Sequence, residues 1–170
     1  RSTAAHSTLT VANIHSSDIL TGGGLGERRA NNVEVRRYEK DRNILIEASH
    51  NGYHEKFGLI HKRSLYLARD GLDVRGEDIL KSDVRTAQTF DIRFHLHPEV
   101  RASLGAGGQV ALIKLPTGRG WRFTASNCTM KLEESIYVGN NSMQRSQQIV
   151  ISAQHTQNQT VTKWRLAREG

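Results

Sequence analysis

Cysteine is nearly absent: Cys128 stands alone in 170 residues. A disulfide within the chain is excluded, and a zinc site built on thiolates is implausible. Proline occurs twice. Because proline interrupts the backbone ladder of a sheet, that scarcity is compatible with long paired strands. Aromatic residues make up 6%, too few and too scattered for a sheet that stacks bases, so no nucleic-acid partner is expected. Long apolar runs are missing too. None approaches the ~20 residues that a spanning helix needs, so no membrane span is expected. Gly22 to Gly26 lacks the Lys-Ser/Thr pair and the helix of a phosphate loop. There is no nucleophile elbow, no His-Glu-x-x-His helix and no Cys-x-x-Cys pair. No methionine precedes Arg1, and no basic start followed by an apolar core follows it. The chain reads as a fragment cut from a longer one, which leaves its compartment open.

What is present is positive charge and alternation. Lys and Arg number 24 against 17 Asp and Glu, a formal charge of +7 and a pI near 9.9. Such a surface attracts polyanions. Apolar and polar residues alternate with period two, the pattern of strands with one buried face. Phe90, Ile92, Phe94 and Leu96 share one face, opposed by Asp91, Arg93, His95 and His97. Cys128, Met130, Leu132, Ile136 and Val138 form a second run. Further strands are expected over 8–11, 33–38, 43–49, 59–68, 110–115, 121–125, 147–153 and 161–166. Turn signals fall between them at Gly22-Gly23-Gly24, Asn51-Gly52, Asp70-Gly71, Gly107-Gly108, Thr117-Gly118 and Gly139-Asn140-Asn141. Asn51-Gly52 and Asp70-Gly71 are pairs that accept φ > 0 in hairpin turns. Only Pro98 to Ala102 hints at a helical turn. The expectation is one all-β domain over residues 1–170, an antiparallel β-sandwich of about a dozen strands.

Eight histidines supply the candidate chemistry. His95 and His97 lie two apart on one expected strand, so both point to one face roughly 7 Å apart. With a third ligand they would form the core of a metal enzyme; without one they are half-exposed polar residues. His50, Tyr53 and His54 flank the Asn51-Gly52 turn, where binding groups or merely solvated side chains sit. His61 shares a strand face with Arg63, Leu65 and Leu67 and reads as a partly buried, hydrogen-bonded histidine. Cys128, among alternating apolar residues, reads as a buried, inert thiol. His6 is unremarkable by spacing. The residues alone support a basic β-sandwich with a polyanion or carbohydrate context and no assigned reaction.

The opening Arg1-Ser2-Thr3-Ala4-Ala5-His6-Ser7-Thr8-Leu9-Thr10-Val11 resembles a segment of the heparinase II/III-like family of bacterial polysaccharide lyases. His50-Asn51-Gly52-Tyr53, His61-Lys62-Arg63 and Phe94-His95-Leu96-His97-Pro98 continue the likeness in order. So do Gly120-Trp121-Arg122-Phe123, Glu134-Ser135-Ile136-Tyr137 and Gln147-Gln148-Ile149-Val150. The resemblance implies the C-terminal β-sandwich of a two-part enzyme whose N-terminal α-helical toroid is absent here. Its chemistry would be β-elimination at a uronic acid of an acidic polysaccharide, in the bacterial cell envelope or periplasm. The base and the groups that neutralise the uronate would lie mostly on the toroid, so the isolated fragment is expected to be inactive. Arg1, His50, Tyr53, His95 and His97 remain substrate-side candidates. The resemblance also implies a structural zinc ion. His6 would be its last ligand and the others would precede Arg1, so the site is incomplete here. The sequence has Ser7 where the family often has Asn. A non-catalytic carbohydrate- or polyanion-binding module is the alternative reading.

Overall fold

A computed structural model describes residues 2–21, 24, 26, 30–105, 107–139 and 141–170. A short 3₁₀ turn, Thr3–Ala5, leads into twelve strands. In chain order the first six are β1 (Leu9–Val11), β2 (Val33–Lys40), β3 (Asn43–Tyr53), β4 (Leu59–Leu67), β5 (Asp73–Ser82) and β6 (Gln88–His95). They are followed by β7 (Arg101–Leu104), β8 (Val110–Lys114), β9 (Gly120–Ala125), β10 (Thr129–Gly139), β11 (Ser142–His155) and β12 (Gln159–Arg168). One short helix, α1 (His54–Phe57), sits between β3 and β4. No helix among the described residues is long and apolar enough to cross a membrane.

The strands form two antiparallel sheets: four strands in the order β1-β6-β11-β10, and eight in the order β2-β3-β4-β5-β12-β9-β8-β7. The all-β sandwich expected from alternation is what the chain adopts. The core fills with one face of each sheet: Leu9, Val11, Phe90, Ile92, Met130, Ile149 and Ile151 against Leu59, Leu80, Ala111, Ile113, Phe123 and Trp164. Burial of such side chains contributes roughly 1.5–3 kcal/mol each. The small sheet covers only part of the large one. Strand β2 is exposed along its whole length, with Val33 at 61% and Val35 at 65%.

Several local expectations change. The helical turn hinted at over Pro98 to Ala102 is limited to one hydrogen-bonded turn at Pro98 and Glu99, with the Val100 amide donating to the His97 carbonyl at 2.9 Å; Arg101–Leu104 is a strand at the edge of the large sheet, paired with β8. Asn51-Gly52 makes no hairpin turn. It lies in a bulge near the end of β3, where the register with β4 shifts between His50 and Tyr53. The sharp β2–β3 turn is made instead by Asp41 and Arg42, with φ of 51° and 64°. Both central residues are left-handed, as a type I′ hairpin demands. Gly71, Gly107, Gly108 and Gly118 do take positive φ. The Gly22-Gly23-Gly24 and Gly139-Asn140-Asn141 turns fall partly outside the described residues.

Strand β5 was invisible to pattern reading. Its core-facing positions run Val74, Gly76, Asp78, Leu80 and Ser82, a series broken by a glycine and a carboxylate. The glycine is required by packing. A Cβ on Gly76 would lie 2.1 Å from the Trp164 ring, so the indole occupies the space that any other side chain would need.

Candidate functional site

The sequence-derived candidates separate into two places in the fold. The first is built on β3, β4 and β5 beneath β1. Antiparallel register sets His50 opposite His61, and His61 and Asp78 both face the core side of the large sheet. His61 and Asp78 are 3% and 2% exposed. The amide of Gly52 donates to His50 Nδ1 at 3.1 Å. His50 Nε2 therefore carries the hydrogen of the neutral ring and donates to His61 Nδ1 at 3.2 Å. His61 Nε2 in turn donates to Asp78 Oδ1 at 2.7 Å. The bulge at Asn51-Gly52 is what turns the Gly52 amide back onto His50.

Asp78 is the centre of this network. Arg63 donates to both of its oxygens, Nε to Oδ1 at 2.8 Å and one terminal nitrogen to Oδ2 at 3.0 Å. Trp164 Nε1 donates to Oδ2 at 2.9 Å. The other terminal nitrogen of Arg63 reaches the Ser7 carbonyl at 2.7 Å, tying the segment before β1 to the large sheet. Burial pushes the Asp78 carboxyl up, but the His61 hydrogen bond and the Arg63 charge outweigh it and hold it below the ordinary value. His50 is lowered from 6.5 to about 4, first by burial and then by His61. Tyr53 is buried beside His50, with ring centroids 5.6 Å apart, and its hydroxyl donates to the Leu9 carbonyl at 2.8 Å. Burial raises its pKa.

The second place is the far end of β6. His95 Nδ1 meets Ser135 Oγ at 2.8 Å and its Nε2 meets the Ala4 carbonyl at 3.0 Å. His97 lies beyond the strand, half-exposed, edge-on to Tyr137 with centroids 4.8 Å apart. His97 falls two residues past His95, where β6 ends, and their partners Ser135 and Tyr137 stand two apart on β10, so the two histidines lie toward the same face of the small sheet. Arg1 lies outside the described residues. His54 opens α1.

His50, Tyr53 and His95 use their polar atoms internally. These groups brace the fold, and in this arrangement none is free to take a proton from a substrate. His61 has the buried, hydrogen-bonded role its strand position suggested. Cys128 is a partly buried free thiol whose pKa burial raises. Residues that sequence reading missed are Asp78 and Trp164. Neither sits in a recognisable motif. The available signal was an Asp in a strand-length segment whose same-face neighbours, Gly76 and Leu80, carry no charge.

Zinc does not fit the described residues alone. His6 is exposed after the 3₁₀ turn. Among the described residues no three His, Cys, Asp or Glu side chains are grouped to hold a metal ion. One imidazole leaves a tetrahedral shell unfilled.

The family model described as heparinase II/III-like, C-terminal, matches residues 1–165. Heparan sulfate lyase HepC from Pedobacter heparinus superposes with a TM-score of 0.77 at 12% identity, over 99% of this chain and 24% of that one. Heparinase III superposes at 0.72 and 12% identity, over the same shares. In sequence, the FtsZ-localized protein C of Caulobacter vibrioides (strain NA1000 / CB15N) is 30% identical over 131 residues, 72% of this chain and 23% of that protein. The chain thus spans about a quarter of the length of these relatives.

Proposed function

This chain belongs to the heparinase II/III-like, C-terminal family, and from that premise we propose that it is the β-sandwich part of a polysaccharide lyase. The carrying observation is the family match along residues 1–165. In this reading the intact protein cleaves uronate-containing polysaccharide by β-elimination. A base removes the C5 proton, the electron pair forms the C4–C5 double bond, and the C4–O glycosidic bond breaks. The leaving oxygen takes a proton from an acid. A positive or hydrogen-bonding group on the uronate carboxylate makes the C5 proton easier to remove.

The geometry supports a division of labour. His50, Tyr53 and His95 are spent on internal hydrogen bonds. The sandwich therefore braces a cleft whose base and acid come from an α-helical toroid outside this chain. Among the described residues His97, half-exposed beside Tyr137, is the candidate left to face substrate. Zinc, where the intact protein carries it, takes His6 together with ligands this chain does not hold. The proposed setting is the bacterial cell envelope or periplasm.

The test is ultraviolet absorbance of the unsaturated uronate released from acidic polysaccharide. The 170-residue chain is expected to release none, and the intact protein to release it steadily. Robust turnover by the chain alone would overturn the division of labour; an inert intact protein would sink the lyase reading.

A second reading rests on one observation. The FtsZ-localized relative is 30% identical, against 12% for the lyase structures. In it the intact protein is not a lyase but a protein that localises with FtsZ. Co-sedimentation of the intact protein with FtsZ polymer, without unsaturated product, would favour it.

A further inference from the structure

The outward face of the large sheet carries a trench that the reading above does not use. Register places Tyr66, Arg75 and Arg165 side by side on β4, β5 and β12. Ser64, Glu77 and Lys163 form the next row on the same face. Rows two residues apart along a strand stand about 7 Å from one another. Between them a cavity of about 620 Å³ crosses these strands and runs on to β9. That volume lies within the range of ligand pockets. Its floor includes main chain at Gly76 and Trp164.

Charge decides what such a trench holds. Asp73 is a single carboxylate clasped by two guanidiniums. Arg75 donates to Oδ2 at 2.9 and 2.7 Å, and Arg165 to Oδ1 and Oδ2 at 2.8 and 3.1 Å. Both arginine side chains stay more than half exposed. Lys163 and Glu77 compensate each other at 3.5 Å, as do Lys62 and Glu47 at 2.6 Å. One positive charge is left over, and it belongs to guanidiniums whose planes Asp73 fixes. A guanidinium held in this way suits a carboxylate or sulfate. Tyr66 adds a half-buried ring on the same wall, with the Arg75 guanidinium 5.5 Å from its centroid. One ring, already faced by an arginine, offers no series of platforms for successive bases.

We propose that this trench binds a short stretch of acidic linear saccharide, laid across the strands with its anionic groups on Arg75 and Arg165. The ligand class rests on the polysaccharide reading; the location rests on the geometry alone.

Isothermal titration of the chain with a heparan sulfate tetrasaccharide, at about 0.15 M salt to screen diffuse attraction, tests it. A neutral cello-oligosaccharide and a short single-stranded DNA serve as comparison ligands. The acidic tetrasaccharide is expected to bind more tightly than either. Arg165→Gln is expected to weaken it about tenfold or more, the loss of one charge-assisted hydrogen bond. Ser64→Tyr, which narrows the trench and removes no ion pair, is expected to do the same; it decides the matter if Arg165→Gln does not fold. Arg101→Gln, an equal charge change on β7 outside the trench, is expected to leave binding unchanged. Absence of binding, equal binding of the neutral sugar or of DNA, wild-type affinity in Ser64→Tyr, or an equal loss in Arg101→Gln would each overturn the proposal. Lyase turnover by the intact protein with Ser64→Tyr binding like wild type sinks the trench alone. Saccharide held in the trench without turnover sinks the lyase reading alone.

Discussion

Asp73 and Asp78 stand on the same strand, β5, facing opposite sides of the sheet, and each is gripped by arginine. Asp78 is completely buried, with Arg63, His61 and Trp164 supplying its hydrogen bonds. Asp73 is 14% exposed and shared by two guanidiniums that are themselves open to water. A buried ion costs several kcal/mol to desolvate, so it persists only where every lone pair is met. An exposed pair costs little to form and contributes little, because water and salt screen it. The inner carboxylate therefore organises the fold, and the outer one leaves charge at the surface for a ligand.

The largest test of that contrast is Asp78→Asn. It leaves Arg63 facing a neutral amide in a buried setting, and His61 and Trp164 compete for one acceptor. Loss of about 3–5 kcal/mol is expected, read from the urea midpoint with unchanged slope.

Acid should act next, through His50. Its folded pKa of about 4 lies below the ordinary 6.5. Between those values the unfolded chain binds a proton that the folded chain refuses. Stability is therefore intact above about pH 6.5 and falls as pH drops toward 4, by at most about 3 kcal/mol. The buried His155, also lowered by burial, acts in the same direction. Urea midpoints between pH 7 and pH 4 measure this. His50→Gln should flatten the slope, and an unchanged slope would remove His50 from the account.

The smallest effect is expected from Asp73→Asn. Its urea midpoint should stay close to wild type. A loss comparable to that of Asp78→Asn would erase the distinction between the two faces.

Period-two alternation made most of the fold legible, because one buried face imposes it residue by residue. Strand β6 is the clear example: Phe90 and Ile92 are buried while Asp91 and Arg93 lie on the other face. It failed where the core side is not apolar. Strand β5 carries Gly76 and Asp78 inward because Trp164 takes the space of the first and Arg63, His61 and Trp164 satisfy the second. The strand that organises the inner network was thus the one that pattern reading missed, and for the same physical reason. Strand β7 was missed because four edge residues are too short for a period to show. His50, Tyr53 and His61 could be singled out from the sequence; that they spend their polar atoms internally could not.

The sequence by itself determined the all-β class, the sandwich and the family, since strand periodicity and ordered motifs are local or collinear properties. Its single cysteine and few prolines had already excluded disulfide staples and favoured long ladders. Only the tertiary structure decided which histidines meet, which carboxylate is buried, and where one positive charge is left unbalanced. Those outcomes depend on cross-strand register and on which sheet face the second sheet covers, and they bring together residues as far apart in the chain as Asp73 and Arg165.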